Sequence, residues 1–276
     1  MRTISRHISW AILKPVAALV AALALAGCAV SPPGEKGEIT GTVAAQPAKP
    51  RTEAEWRREA QILGDRYRAN PNDPEIAMQY ALALRGIGQR AQAVAVLEQA
   101  SLQNPNNQAV LGAYGRALAD VGNYAQALEV LNRAHTPEQP DWRILSVQGA
   151  VLDQMGRHED ARRHYASALR LMPDEPSVLS NLGLSYALSK DLQQAEQTLR
   201  RAAAQPNAEP KVRQNLALVV GLQGRFAEAE EIARGDLSPE EAAANIAYLR
   251  QMLLQQQDFK KPKREKTATG AARPKS

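Results

Sequence analysis

The stretch "NLGLSYALSKDLQQAEQTLRRAAAQP", residues 181–206, decides the fold. It places the small residues Gly183 and Ala195 among larger apolar residues that recur at three- and four-residue spacing, such as Leu182, Tyr186 and Leu199. That spacing is typical of a buried helix face. The stretch therefore predicts two packed helices that approach closely where their side chains are small.

The same small residues recur along the chain at a constant interval of 34 positions. One series contains Ala81, Gly115, Gly149, Gly183 and Ala217. A second contains Ala93, Ala127, Ala161, Ala195 and Ala229. A third contains Gly88, Gly122, Gly156 and Gly224, with Lys190 in the fourth place.

Each series has a structural interpretation when the repeats are numbered from Pro74, Gln108, Trp142, Pro176 and Pro210. The first two series then fall at positions 8 and 20, where only Gly or Ala fits between the two helices of a repeat. The third series falls at position 15, where glycine ends the first helix because it adopts the left-handed conformation at little cost.

This pattern resembles the tetratricopeptide repeat family, whose repeats are helix–turn–helix units of 34 residues. The resemblance covers about residues 52–259. It implies an all-α fold, a right-handed α-solenoid of about five helix pairs. Four repeats follow the pattern, whereas the fifth has Asp236 at position 27, and Gly235 ends its second helix early.

Both ends of the solenoid are predicted to be closed. After the fifth repeat, Ser238, Pro239 and Glu241 form a capping-box signature that starts a terminal capping helix. At the front, residues 52–71 place Leu63 and Pro71 on repeat positions 24 and 32 and are interpreted as an N-terminal half-repeat. A solenoid needs such ends because its last repeats would otherwise expose apolar surface.

The N-terminal segment has the features of an export signal. Basic residues precede an apolar run that is too short to cross a bilayer and ends in "LAGC" at Cys28, the one cysteine of the chain. This string resembles the lipobox of bacterial lipoproteins. The resemblance implies removal of residues 1–27 and lipidation of Cys28, and Ala29, rather than Asp, implies anchoring at the periplasmic face of the outer membrane.

Two flanking segments are predicted to be unfolded. Residues 28–51 are rich in Pro and Gly and are interpreted as a flexible tether. Residues 260–276 carry seven basic residues against Glu265 and are interpreted as a disordered basic tail, either solvated or touching anionic lipid or an acidic partner. Without the signal and the tail the chain is mildly acidic, so no nucleic-acid partner is expected.

The chain offers little material for catalysis. In "HEDARRH", His158 and His164 are six positions apart, whereas two metal ligands on one helix face lie three or four apart. No nucleophile motif or phosphate loop is present, so an enzyme is not expected, and neither is a metal or other cofactor.

Binding is therefore the expected activity, through the concave groove that stacked helix pairs form. The face of the first helices that lies opposite the core is predicted to line it, with these candidates: Asn181, Asn215, Arg143, Lys211, Arg116, Leu184 and Leu218. The amides of Asn181 and Asn215 either grip a peptide backbone, as position 6 does in peptide-binding members of the family, or are merely polar residues on a solvated face. The family's clamp for a C-terminal carboxylate has asparagine at position 9, and this chain lacks it. The leucines at that position instead favour a partner helix or strand that binds through hydrophobic side chains.

The closing segment "LSPEEAAANIAYLRQML", residues 237–253, resembles the end of the tetratricopeptide lipoproteins of tight-adherence (Flp) pilus systems. That resemblance implies a scaffold that assembles or localises the outer-membrane secretin, with secretin or other pilus-assembly subunits as partners. The alternatives are an adaptor for other envelope proteins, such as peptidoglycan enzymes, and another pilus pilotin.

Overall fold

The computed structural model describes residues 52–260, with side chains up to residue 255. This part of the chain contains twelve α-helices and no strand: α1 Glu53–Ala69, α2 Pro74–Gly86, α3 Arg90–Gln103, α4 Gln108–Asp120, α5 Tyr124–Asn132, α6 Trp142–Gln154, α7 His158–Leu171, α8 Pro176–Leu188, α9 Leu192–Ala203, α10 Pro210–Leu222, α11 Phe226–Ala233 and α12 Pro239–Lys260. The predicted signal peptide, Cys28, the tether and the basic tail beyond Lys260 lie outside the described residues.

The predicted repeat register is confirmed. The five first helices of the repeats, α2, α4, α6, α8 and α10, begin at the five residues from which the repeats were numbered, each 34 positions after the last. The second helices, α3, α5, α7, α9 and α11, keep the same interval. Residues 52–260 thus form a solenoid of five helix pairs, with one extra helix before the first pair and one after the last.

Side chains just before the first helices explain where those helices begin. Asp73, Asn107, Asp141 and Glu175 each accept hydrogen bonds from backbone N–H groups of the first turn, as Asp73 does from Glu75 at 2.9 Å. Such N-caps satisfy donors that have no partner within the helix. The repeat boundary is therefore encoded locally in every one of these four repeats.

The small residues lie where the helices of a pair meet. Ala93, Ala127, Ala161, Ala195 and Ala229 are all fully buried. A Cβ added to Gly149 would lie 2.5 Å from Cε1 of Tyr165. A Cβ added to Gly115 or Gly183 would come similarly close to Leu131 or Leu199. Ala81 and Ala217 complete the buried series. Larger residues at these positions would separate the paired helices.

The turn between paired helices uses the left-handed backbone conformation that the sequence predicts. The φ angles of Gly88, Gly122, Gly156 and Gly224 lie between 75° and 84°. Lys190 takes the same conformation, at φ 69°, although it carries a side chain. The turn geometry is thus imposed by the repeat, and glycine fits it best.

We expect Lys190→Gly to raise the free energy of unfolding by about 1 kcal/mol, because a non-glycine residue is strained in the left-handed region. Urea unfolding followed by circular dichroism measures this change. The reverse substitution, Gly156→Lys, is the matched control and should lower stability by a similar amount. A lower midpoint for Lys190→Gly would contradict this interpretation of position 15.

Both ends are closed by single helices. At the back, the predicted capping box starts α12: the Ser238 N–H donates to Glu241 at 3.0 Å, and the Glu241 N–H donates to Ser238 Oγ at 3.3 Å. Ala242, Ile246 and Leu249 of α12 are buried against the last repeat. At the front, α1 packs on α2 through Leu63 and Ala60.

The solenoid curves with the first helices on its inner side. The first helices of successive repeats contact one another directly along the array, and α10 contacts α12. Contacts between successive second helices are less extensive. The concave surface is therefore the exposed face of α2, α4, α6, α8 and α10, which we call the inner face.

Candidate protein-binding groove

The inner face changes character along the solenoid. At repeat position 9 it presents Leu82, Arg116, Ala150 and Leu184, of which Leu82 is exposed and the others are half-buried. At position 2 it presents the exposed side chains of Arg143 and Lys211. At position 9 the inner face is thus apolar except for Arg116, and the cations of position 2 lie in the third and fifth repeats.

The back of the groove differs from the sequence prediction at Leu218. This residue is only 7% exposed, because it packs on Leu249 with Met252 and Leu253 of α12 nearby. Leu222, half-buried, belongs to the same cluster. The capping helix covers the end of the inner face, so Leu218 stabilises the cap and does not line the open groove.

The two asparagines at position 6 make contacts that the sequence did not reveal. The amide of Asn181 donates to Ser146 Oγ at 3.1 Å, and that of Asn215 donates to Ser180 Oγ at 2.9 Å. Each serine belongs to the preceding repeat. Asn181 is half-buried and Asn215 is buried, so these amides tie neighbouring first helices together, and Asn181 is the better placed of the two to meet a peptide.

Arg116 lies at the front of the groove between two other guanidinium groups. Arg85 of α2 pairs with Asp120, and the Arg143 guanidinium lies 4.5 Å from the ring centroid of Trp142. Arg116 itself makes no hydrogen bond or ion pair with any described residue. Burial lowers the pKa of Arg116, and the neighbouring charges of Arg85 and Arg143 lower it further, against the opposing effect of Asp141.

A buried polar cluster joins the third and fourth repeats. The carboxylate of Asp153, 7% exposed, accepts hydrogen bonds from Ser185 Oγ at 2.8 Å and Tyr165 OH at 3.0 Å, and its Oδ1 lies 2.8 Å from His158 Nδ1. Burial raises the pKa of Asp153, and the hydrogen bonds oppose that rise. We call these four residues the Asp153 cluster.

The Asp153 cluster contains Ser, His and Asp but has the wrong arrangement for nucleophilic catalysis. In a catalytic triad the serine hydroxyl bonds to histidine, and the aspartate orients that histidine. Here the Ser185 hydroxyl donates to the aspartate and is fully buried. The cluster is therefore a structural link between α6, α7 and α8.

Among the residues that the structure describes, no group of three or more His, Cys, Asp or Glu side chains stands close enough to hold a metal ion. None of the helices described between residues 52 and 260 has the length and apolar content needed to span a membrane.

A second polar network links the fourth and fifth repeats. Glu196, whose side chain is 14% exposed, accepts hydrogen bonds from Arg225 at 2.7 Å, Gln223 at 2.8 Å and Arg200 at 2.9 Å. Burial raises the pKa of Glu196, but the three hydrogen bonds outweigh it and lower the pKa to about 2. The ionised form of Glu196 is thus the one that stabilises the fold.

Because the pKa of Glu196 is lower in the folded chain than in the unfolded one, its contribution is complete above pH 4.5 and disappears as the pH falls toward 2. We expect Glu196→Gln to unfold at lower urea concentration than the native chain at pH 7, and the two midpoints to converge near pH 2. Glu231→Gln, at an exposed position, is the control. A constant difference at all pH values would contradict the assignment.

The fold and the inner face together define a protein of the tetratricopeptide repeat class. A family model described as "Anaphase-promoting complex, cyclosome, subunit 3" matches residues 57–134, and a tetratricopeptide repeat model matches residues 147–210. The chain therefore has the tetratricopeptide repeat fold.

Solved structures agree on this fold. A chain of the APC/C hetero-tetramer Cut9–Hcn1 is 16% identical, with a TM-score of 0.59, and the match covers 74% of this chain but only 40% of that one. PilW, a type IV pilus biogenesis factor, is 14% identical with a TM-score of 0.59, covering 69% and 91%. A thermophilic TPR protein from Thermus thermophilus is 22% identical with a TM-score of 0.57, covering 66% and 100%. A comparison with curated protein sequences found no match.

Proposed function

We propose that this protein is a lipid-anchored scaffold at the periplasmic face of the outer membrane, where its inner face binds a protein partner during assembly of a tight-adherence (Flp) pilus or secretion apparatus. The observation that carries the binding activity is the open inner face itself. It exposes Leu82 and Arg143 and presents the half-buried Arg116, while the chain's own helix covers the back.

The membrane attachment in this proposal rests on the sequence around Cys28. The "LAGC" string resembles a lipobox, and the segment between it and the first helix would hold the solenoid a short distance from the bilayer. Two or more acyl chains anchor a protein stably, whereas one does so only marginally. Lipidation at Cys28 would therefore keep the groove near outer-membrane partners.

The pilus assignment rests on the resemblance of residues 237–253 to the end of TadD, the tetratricopeptide lipoprotein of the tight-adherence machinery. The structure gives this segment a defined role, since Leu249 covers the last repeat and Leu218. PilW shares the fold at low identity, and that similarity supports the architecture alone. The secretin is the partner that the resemblance implies.

Fractionation tests the anchor. We expect Cys28→Ala to leave a soluble, mislocalised protein, because it removes the sulfur that receives the lipid. Ala29→Asp is the matched variant and should move the protein to the inner membrane while preserving lipidation. Unchanged fractionation of Cys28→Ala would contradict the anchor.

Affinity capture from solubilised membranes tests the partner. Secretin subunits bound to the native chain, together with loss of surface pili on deletion of the gene, would support the pilus role. Capture of peptidoglycan hydrolases with pili intact would instead favour the alternative of an adaptor for envelope enzymes. No second function has a structural observation in its favour.

A further inference from the structure

Three consecutive first helices each supply one arginine to the front of the inner face: Arg85 from α2, Arg116 from α4 and Arg143 from α6. Burial lowers the pKa of Arg116, and the charges of Arg85 and Arg143 lower it further. Arg85 pairs with Asp120 and Arg143 lies over the ring of Trp142, so Arg116 is the arginine of the three whose role these contacts do not explain.

The carboxylates nearby do not neutralise the cluster. Asp120 is paired with Arg85, and Asp141 accepts a hydrogen bond from the backbone N–H of Arg143 at 2.7 Å, as the N-cap of α6. Three guanidinium groups thus face two carboxylates. Arg116 is left half-buried with its five N–H donors unmatched by any described side chain, and such a donor set is costly unless a ligand or water satisfies it.

The excess of one positive charge matches one carboxylate. A guanidinium presents a planar pair of donors that fits a carboxylate in bidentate geometry. A nucleic acid would need several unpaired cations along its backbone, whereas Arg85 is already paired with Asp120. A single acidic group is therefore the ligand that this site fits.

Apolar residues occupy the equivalent position one repeat before and one repeat after Arg116. These are Leu82, 49% exposed, and the half-buried Ala150. Adjacent packed helices lie about 8–10 Å apart, and an extended chain in the polyproline II conformation advances about 3.1 Å per residue with three residues per turn. Side chains three residues apart in such a segment point the same way and lie about 9 Å apart, so a partner segment along the groove would place apolar side chains about three residues on either side of its acidic residue.

We infer that Arg116 binds the side-chain carboxylate of an internal Asp or Glu in an extended partner segment, with apolar residues of that segment against Leu82 and Ala150. This inference rests on the proposed function, because it uses the same inner face. A side-chain carboxylate fits better than a chain terminus, since the face continues on both sides of Arg116. A terminal carboxylate would leave half of that face empty.

Peptide binding to the full chain, purified in detergent, tests the inference. The probes are fluorescein-labelled pools of about 13 residues with amidated C-termini, a central Glu or Gln, Leu or Val three residues to either side, and small polar residues elsewhere. We expect the Glu pool to bind the native chain about tenfold more tightly than the Gln pool, as a charge-assisted pair would give. Arg116→Gln should abolish that difference.

Arg90→Gln is the matched control, because Arg90 is an exposed arginine at the start of the second helix α3 and does not belong to the inner face. It should preserve the preference for Glu. Arg116→Gln should not lower the melting temperature, because Arg116 has no hydrogen-bond or ion-pair partner among the described residues. Loss of stability in this variant would show a structural role and overturn the inference.

Three further outcomes would overturn it: equal binding of the Glu and Gln pools, binding of neither pool, and binding only of peptides with a free C-terminal carboxylate. These results are separable from the proposed function. Secretin captured equally by the native chain and by Arg116→Gln would refute the role of Arg116 and leave the scaffold role intact. If the native chain captured no envelope protein but still preferred the Glu pool, the scaffold role would be refuted and the role of Arg116 would stand.

Discussion

Replacing Ala161 with arginine is expected to lower the free energy of unfolding by about 4 kcal/mol or more. Ala161 is fully buried at position 20, on the side of α7 that approaches α6, where Gly149 leaves no room for a Cβ. Arginine would overpack this contact and bury an unpaired charge. Both effects act on the middle of the array, where each repeat depends on its neighbours.

Urea unfolding followed by circular dichroism measures the effect, and hydrogen exchange locates it. The native midpoint should fall steeply, and protection should be lost first in α6 and α7. Ala166→Arg is the matched control, because Ala166 is exposed on the same helix. Equal midpoints for the two variants would contradict the packing that positions 8 and 20 are said to form.

Replacing Asp153 with alanine should have the second largest effect, a loss of about 3 kcal/mol. The substitution removes the acceptor of three donors, and the hydroxyls of Tyr165 and Ser185 would remain buried without a partner. An unsatisfied buried donor costs about 1–3 kcal/mol. Asp160→Ala is the control, since Asp160 pairs only with the exposed arginines Arg157 and Arg163 and its loss should lower the unfolding midpoint much less.

A rescue experiment separates this explanation from simple loss of volume. Adding Tyr165→Phe and Ser185→Ala to Asp153→Ala removes the stranded donors, so part of the lost stability should return. A triple variant less stable than Asp153→Ala would contradict the account. The raised pKa of Asp153 also predicts a pH dependence of stability. The contribution of Asp153 to the free energy of unfolding is greatest below its pKa in the unfolded chain and declines as the pH rises through its pKa in the folded chain.

Features set by short-range chemistry could be predicted from the sequence. The helix starts at Pro74 and Pro176, the left-handed turns at Gly88 and Gly156, and the capping box at Ser238 depend on residues a few positions apart. Their geometry is determined within one repeat. Repetition at a fixed interval then determined the whole solenoid.

Features that depend on how one repeat sits on the next could not be predicted. The bond from Asn181 to Ser146 joins residues 35 positions apart, and the bond from Ser185 to Asp153 joins residues 32 apart. Leu218 was expected in the open groove because the periodic pattern does not show where α12 lies. The Arg116 site likewise follows from the superhelix, which brings three first helices together.

Photo-crosslinking in cells tests most directly the claim that the inner face is the protein-binding surface. A photoreactive amino acid replaces Leu82 on α2 or, as the control, Leu102 on α3. Both side chains are accessible, since Leu82 is 49% exposed and Leu102 is 72% exposed. The account predicts a discrete crosslinked protein from position 82 and none from position 102. A crosslink from position 102 with none from position 82 would contradict it.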